Sequence, residues 1–209
     1  MPLLKLDLHV HTVGSYDAHT LREDLPAIIQ RRGLDGVAVT EHDNFDPPKL
    51  PNTLIVPGVE ISSRDGHIVA LGIREGIPAS LPADETIQRI HDQGGVAIVA
   101  HPYDPVCECV KIVRLKVRPD AVETMNADAL SFYFSSWLAQ RDAVKHSLPQ
   151  VGGSDSHIPE TIGDAYTIID AQSTSLEDIL NAIRAGKVKP EGRATSVRNK
   201  LRKLSYKFK

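Results

Sequence analysis

The sequence predicts an α/β fold in which strands alternate with helices around a mostly parallel sheet, closed or doubly wound, the closed barrel being the more economical arrangement. Three observations carry this. Short runs rich in Val, Ile and Leu recur along the chain, amphipathic helical segments separate them, and imidazole or carboxylate residues stand where the runs end. Barrels of this class gather their functional groups at strand C-termini. At 209 residues a single folding unit is expected, spanning 1–190, with 191–209 as a basic C-terminal tail.

LLKLDLHV (3–10) reads as the first strand, and Asp24 to Arg32 as a helix with Leu25, Ile28 and Ile29 on one face. Pro26 suits only its first turn, and Gly33 ends it. DGVAVTEH (35–42) supplies the next strand, followed by NTLIVPGVEIS (52–62) and HIVALGI (67–73) around a short loop. In ADETIQRIHDQGG (83–95), Ile87 and Ile90 share a face, and the paired glycines close a helix that leads into the strand VAIVAH (96–101). The period then repeats with DAVETMN (120–126) as strand, 127–147 as helix and QVGGSDSH (150–157) as a Gly-interrupted strand. AYTIID (165–170) is a further strand and 175–185 a helix, where Ser175 and Asp178 resemble a capping box. In the tail, Val197, Leu201, Leu204 and Phe208 form one helical stripe opposite Lys and Arg, and this apolar stripe is expected to pack onto the barrel.

With 41% hydrophobic and 24% charged residues the composition excludes a disordered chain. The net charge of -3 conceals an asymmetry: residues 187–209 hold nine Lys or Arg against Glu191, and the rest of the chain carries 15 basic and 26 acidic side chains. An acidic body repels polyanions unless bound cations or the tail neutralise the field near the site. Cys107 and Cys109 are spaced poorly for a disulfide and are too few for a structural zinc site, which fits a reducing cytoplasm. No apolar run approaches the roughly 20 residues of a membrane span, and no membrane partner is expected.

His9 and His11 close the first strand, His42 the second and Glu60 the third; His67 opens the next segment, His101 ends another, and Asp155 with His157 end a late one. Residues i and i+2 of a strand point to one face, so each of the pairs His9/His11 and Asp155/His157 can direct two donors to one point. Glu60 can bridge two cations, and this thiolate-free set favours manganese, iron or zinc. Asp17 belongs either to the cluster or to a turn with Ser15 and Tyr16. Asp7 shares the expected strand face of His9 and His11, where it would either orient a ligand imidazole or form a salt bridge. His91 and His146 sit near helix C-termini and need no chemistry.

The segments DLHVHT, TEHDN, PGVEIS, HIVALG, GGVAIVAHP and GGSDSHIPETIG, in that order from residue 7 to 163, resemble the motifs of the PHP (polymerase and histidinol phosphatase) family over most of the chain. The resemblance implies a distorted seven-stranded β/α barrel holding two or three divalent metals. Its ligands would be His9, His11, Asp17, His42, Glu60, His67, His101, Asp155 and His157. By similarity His9, His11, Glu60 and Asp155 hold one ion, Glu60, His67 and His101 a second, and Asp17, His42 and His157 a third. Glu41 departs from the Asp that the family commonly has beside the ligand His42.

The implied activity is hydrolysis of a small phosphomonoester, a nucleotide or sugar phosphate, through a metal-activated water, with Asp155, His9, Glu60 and His101 catalytic. Arg64 and Arg193 are the candidate phosphate contacts. The alternatives are a phosphodiesterase or exonuclease acting on nucleic-acid ends, its basic tail guiding the strand, and a non-catalytic structural module, against which the retained ligand set speaks. Sequence leaves the oligomeric state open.

Overall fold

The computed structural model describes residues 3–107 and 109–206. Nine strands and five helices follow one another as β1 (Leu3–Val10), α1 (Leu25–Arg32), β2 (Gly36–Val39), β3 (Leu54–Ser63), β4 (Gly66–Leu71), α2 (Ala83–Asp92), β5 (Val96–Val99), β6 (Ala121–Asn126), α3 (Phe132–Lys145), β7 (Gln150–Gly153), β8 (Ala165–Asp170), α4 (Leu176–Arg184), β9 (Val188–Gly192) and α5 (Val197–Tyr206). Ser175 caps α4 as its sequence suggests, its Oγ accepting from the Asp178 amide at 3.2 Å. Among the described residues, no helix is long and apolar enough to cross a membrane.

The strands form one sheet in the order β7-β6-β5-β4-β3-β2-β1-β8-β9. Its ends curl together, because the chain beyond β7 rejoins the end of β1: the Asp155 amide donates to His9 O at 2.8 Å and the His11 amide to Ser156 O at 2.9 Å. The result is a nearly closed, distorted barrel with nine strands in place of the seven implied by the resemblance. The first half of β1 (Leu3–Leu6) pairs with β8, and β8 pairs with β9. β9 escapes a pattern-based reading because VKPEG is short, charged and lacks apolar alternation, and Pro190 suits only an edge strand. The boundary at residue 190 falls within this strand.

The sheet is also mixed rather than mostly parallel. Only Arg64 and Asp65 separate β3 from β4, too few for a crossover, so β4 returns antiparallel. That reversal brings the start of β4, with His67, to the end of the barrel reached by the C-termini of β1 and β2. A second irregularity acts on β1: Leu6 and Asp7 pair with Gly36 and Val37, but Val10 pairs with Val39, so one extra residue bulges out of β1. Leu4, Leu6 and Leu8 join the core that α4 closes with Ile179 and Ile183, whereas Val10 packs with Leu25, Ile28 and Ile29 of α1. The bulge therefore breaks the simple alternation and separates the roles of Asp7 and His9.

Among the described residues, Asp7 neither orients an imidazole nor forms a salt bridge. Its carboxylate accepts from the backbone amides of Ser154 (2.8 Å), Gly163 (2.7 Å) and His9 (3.3 Å), and burial pushes its pKa up to about 6 against those donors. The tail differs too. Helix α5 leaves Val197, Leu201 and Leu204 at 74%, 62% and 52% exposed and turns Lys200 and Lys203 to the barrel, the reverse of the expected orientation. Phe208 of that stripe lies outside the described residues.

Closure of the barrel depends on Gly153, where β7 runs against β1: a Cβ there would collide with His9 Cβ and come within 2.8 Å of Glu123 Oε1. Gly153→Ala is expected to destabilise the protein by about 1–3 kcal/mol through overpacking. Urea unfolding at equilibrium measures this, and an unchanged midpoint would mean that the two strands separate freely.

Candidate metal centre

Glu60, in the middle of β3 and 1% exposed, occupies the centre of the C-terminal end of the barrel. Its Oε1 lies 3.0 Å from His101 Nε2, 3.1 Å from His67 Nδ1 and 3.5 Å from His9 Nε2. Oε2 lies 2.9 Å from His42 Nδ1 and 3.4 Å from His11 Nε2. Asp155 Oδ1 approaches His11 Nε2 at 3.2 Å and His9 Nε2 at 3.6 Å. Asp17 joins the cluster from a turn with Ser15 and Tyr16, closed by the Ala18 amide donating to Ser15 O at 3.3 Å, and its two oxygens lie 3.4 Å from the Nε2 atoms of His42 and His157. The nine residues singled out in the sequence thus converge on one place.

Local backbone geometry aims them. β1 delivers His9 and His11 past its bulge, and the isolated bridge between His42 and Glu60 sets the end of β2 against β3. His101 and Asp155 adopt φ of 26° and 52°, in the left-handed region that a non-glycine residue enters at a cost on the order of 1–3 kcal/mol. Asp155 is held there by the hydrogen bond its backbone N–H donates to His9 O and by Asn126 Nδ2, which donates to its Oδ2 at 3.1 Å.

The donor set fits divalent ions. Among the described residues, His9 Nε2, His11 Nε2, Asp17 Oδ1, Glu60 Oε2 and His67 Nδ1 are buried beside these ionic neighbours yet make no hydrogen bond, each a cost unless a further group satisfies it. Three groupings place one donor atom per residue within 4.8 Å of one another: His9, His11 and Glu60; Glu60, His67 and His101; and His11, His42 and His157. Glu60 belongs to the first two, as a bridging carboxylate would.

Two supporting carboxylates were not singled out as site residues from the sequence. Glu123 on β6 holds His9 Nδ1 at 3.0 Å through Oε1 and accepts from the His101 amide at 2.9 Å through Oε2, fixing which imidazole nitrogen of His9 faces Glu60. Its surroundings, AVETMN, read as an ordinary strand. Fully buried Glu41 accepts from the Thr12 amide at 2.9 Å and Ser15 Oγ at 2.6 Å, and also bonds Thr12 Oγ1. It therefore holds the loop between His11 and Asp17 in place of coordinating. Ser15 in turn reaches His11 Nδ1 at 3.3 Å. Arg64 is exposed, and Arg193 lies 3.6 Å from Asp164, outside the cluster. Cys107 and Cys109 are free thiols, and Cys109 Sγ donates to His101 O at 3.1 Å. His91 and His146 pair with Asp120 and Asp142.

Without bound cations the imidazoles respond unequally. Burial drives His11 down to about 3, whereas at His42 the carboxylates of Asp17 and Glu60 outweigh burial and hold the pKa up at about 10. His9 and His101 also lie well above the ordinary range against the pull of burial, His9 through Asp155, Glu123 and Glu60. Glu60 and Asp155, despite burial, stay well below the usual carboxylate range because these cations face them.

The fold and the site together define a class: a metal-dependent hydrolase of phosphate esters. A family model described as PHP-associated matches residues 136–188. The uncharacterized protein MJ1587 of Methanocaldococcus jannaschii is 32% identical over 141 residues, covering 59% of this chain and 82% of that protein. A probable phosphatase of Shewanella piezotolerans is 25% identical over 219 residues, covering 84% and 88%. Among solved structures, a two-domain Bacteroides vulgatus protein containing a PHP-like metal-dependent phosphoesterase superposes with a TM-score of 0.68 at 18% identity, over 98% of this chain and 70% of that one. Endonuclease Q bound to a 27-mer duplex with an abasic lesion superposes with a TM-score of 0.73 at 16% identity, over 92% and 60%. The chain belongs to the PHP family of metal-dependent phosphoesterases.

Glu123→Gln is expected to leave a folded protein whose metal affinity falls roughly 10–100-fold; metal content after dialysis against limiting manganese measures it, and full retention would contradict the role of Glu123. Imidazoles must be neutral to ligate. Those held protonated toward alkaline pH must release protons when metal binds, so affinity is expected to rise between about pH 6 and about pH 9. Calorimetric titration in buffers of unlike ionisation heat reads the released protons. Binding without proton release and independent of pH would contradict this charge assignment.

Proposed function

We propose that the chain hydrolyses a small phosphomonoester, a nucleotide or sugar phosphate, at a site holding two or three ions of manganese, iron or zinc. The carrying observation is the buried Glu60 carboxylate, shared between two groupings of imidazoles in which, among the described residues, His9 Nε2, His11 Nε2 and His67 Nδ1 make no hydrogen bond. His9, His11, Asp17, His42, Glu60, His67, His101, Asp155 and His157 would hold the ions. Among these, Asp155, His9, Glu60 and His101 are the residues on which turnover would depend most. Bound divalent ions lower the pKa of water and neutralise phosphoryl oxygens during in-line displacement. The protein's own contribution is a rigid cage: Glu123 and Asn126 fix His9 and Asp155, and Glu41 fixes the loop that carries Asp17. Asp17, His42, His67 and Asp155 are the partly exposed members, so substrate would enter over them. The free thiols of Cys107 and Cys109 agree with a reducing, cytoplasmic location.

A second reading, cleavage at nucleic-acid ends, is favoured by one observation. Tyr16, 89% exposed, stands with its ring centroid 5.6 Å from that of His42, where a base could stack on it. Endonuclease Q, whose structure holds a DNA duplex, shares the fold.

Manganese-loaded protein assayed against nucleoside monophosphates, sugar phosphates, nucleoside bisphosphates and short single-stranded oligonucleotides separates the readings. Release of inorganic phosphate from a small ester, abolished in Asp155→Asn, is the expected result. Nucleotide release from oligomers would replace it with the second reading. A metal-loaded protein silent on every substrate would leave a structural module.

A further inference from the structure

Helix α5 is fastened to three of the loops that carry or flank the residues of the metal centre. Lys203 Nζ lies 2.7 Å from Asp128 Oδ2, and Lys200 Nζ donates to the carbonyls of Asp128 and Ala129, each at 2.9 Å, just beyond β6. Arg202 pairs with Glu160 at 3.1 Å, in the loop after His157. The Tyr206 ring stacks on His19 at 4.9 Å, and the His19 amide donates to His157 O at 2.8 Å. The loops after β1, β6 and β7 therefore all meet this one helix.

Lys203 is a cation of this helix on which the site acids act. Its side chain is only 23% exposed, and its ammonium, although burial opposes the charge, is held protonated by Asp128 and also by Asp155 and Asp17. Asp155 and His157 act in turn on Asp128. An ammonium has three donors, of which Asp128 uses one. The residues proposed from the sequence for phosphate contact offer less: Arg64 is exposed, and Arg193 is turned to Asp164.

We propose that Lys203 binds the substrate's phosphoryl oxygens from the rim, so that α5 forms one wall of the substrate site and the Asp128 carboxylate holds the ammonium until phosphate displaces it. This rests on the phosphoesterase reading of the same centre. Lys203 lies within the fields of Asp155 and Asp17 and supplies a positive charge beside the acids of the rim. It touches the anion itself and takes no part in holding the ions.

A purely structural ion pair makes a different prediction. If Lys203 and Asp128 only fasten the helix, removing either partner acts in the same direction. If Lys203 serves phosphate, the two act oppositely, because Asp128→Asn releases the ammonium and removes a competing negative charge. The test is calorimetric binding of inorganic phosphate to manganese-loaded wild type, Lys203→Met, Lys203→Arg and Asp128→Asn, with metal content and thermal midpoint measured for each. Lys203→Met is expected to weaken phosphate binding about tenfold at unchanged metal content, with Lys203→Arg recovering most of it and Asp128→Asn binding as tightly as wild type or tighter. On an ester that is turned over, Lys203→Met should raise KM more than it lowers kcat. Equal phosphate affinity in wild type and Lys203→Met, or equal weakening in Lys203→Met and Asp128→Asn, overturns the role of Lys203 alone. Metal-loaded wild type that neither binds phosphate nor cleaves an ester overturns the phosphoesterase reading, and this inference with it.

Discussion

The charge on Glu60, sealed at the C-terminal end of the barrel, is the constraint that the surrounding elements satisfy. A carboxylate removed from water costs several kcal/mol unless cations or donors replace the lost hydration. Five imidazoles approach its two oxygens, contributed by His9 and His11 of the first strand and by His42, His67 and His101 of three others or their ends. No regular sheet would aim so many side chains at one point. The irregular features lie where they correct that aim: the β1 bulge between Asp7 and Val10, the reversed β4 that presents His67 from its start, and left-handed backbone at His101 and Asp155. Local strain near the centre is thus offset by the electrostatic arrangement it permits.

The ligand candidates were legible because the chemistry is written in residue type and position. Imidazoles and carboxylates at strand ends have no packing reason to recur, and all nine named positions meet in space. Their supports were not legible. Glu123 lies in an unremarked strand, and its importance comes from β6 lying beside β5, which sets its two oxygens against His9 and the His101 amide. Asp7 was misread for a related reason. Alternation by twos assigns it to the face of His9, but one extra residue between Asp7 and Val10 breaks that alternation, and only pairing with β2 reveals it. β9 was missed because its pairing with β8 holds it in the sheet without an apolar face of its own.

Charge that is segregated along the sequence becomes interleaved in the fold. The acidic body and basic C-terminal segment look like two separate fields, yet α5 lays its lysines against the acid-rich end of the barrel, at Asp128 and within the fields of Asp155 and Asp17. Bound divalent ions would act on the same potential from inside the cage. An anion approaching the rim then meets positive charge from both sides in place of the repulsion that the body alone would exert.

The orientation of α5 sharpens that argument. Burying an aliphatic side chain of the size of Leu201 or Leu204 contributes about 1.5–3 kcal/mol, whereas an exposed ion pair contributes about 0–1 kcal/mol. Apolar burial alone would turn the helix over. Its observed orientation instead places Lys203 in a partly buried position against Asp128, with two site carboxylates adding to the attraction, and places Lys200 on two backbone carbonyls. One surface pair does not offset three exposed aliphatic side chains. The fields of Asp155 and Asp17 add to the pair with Asp128, which ties the orientation of the tail to the same concentration of charge that the metal centre requires.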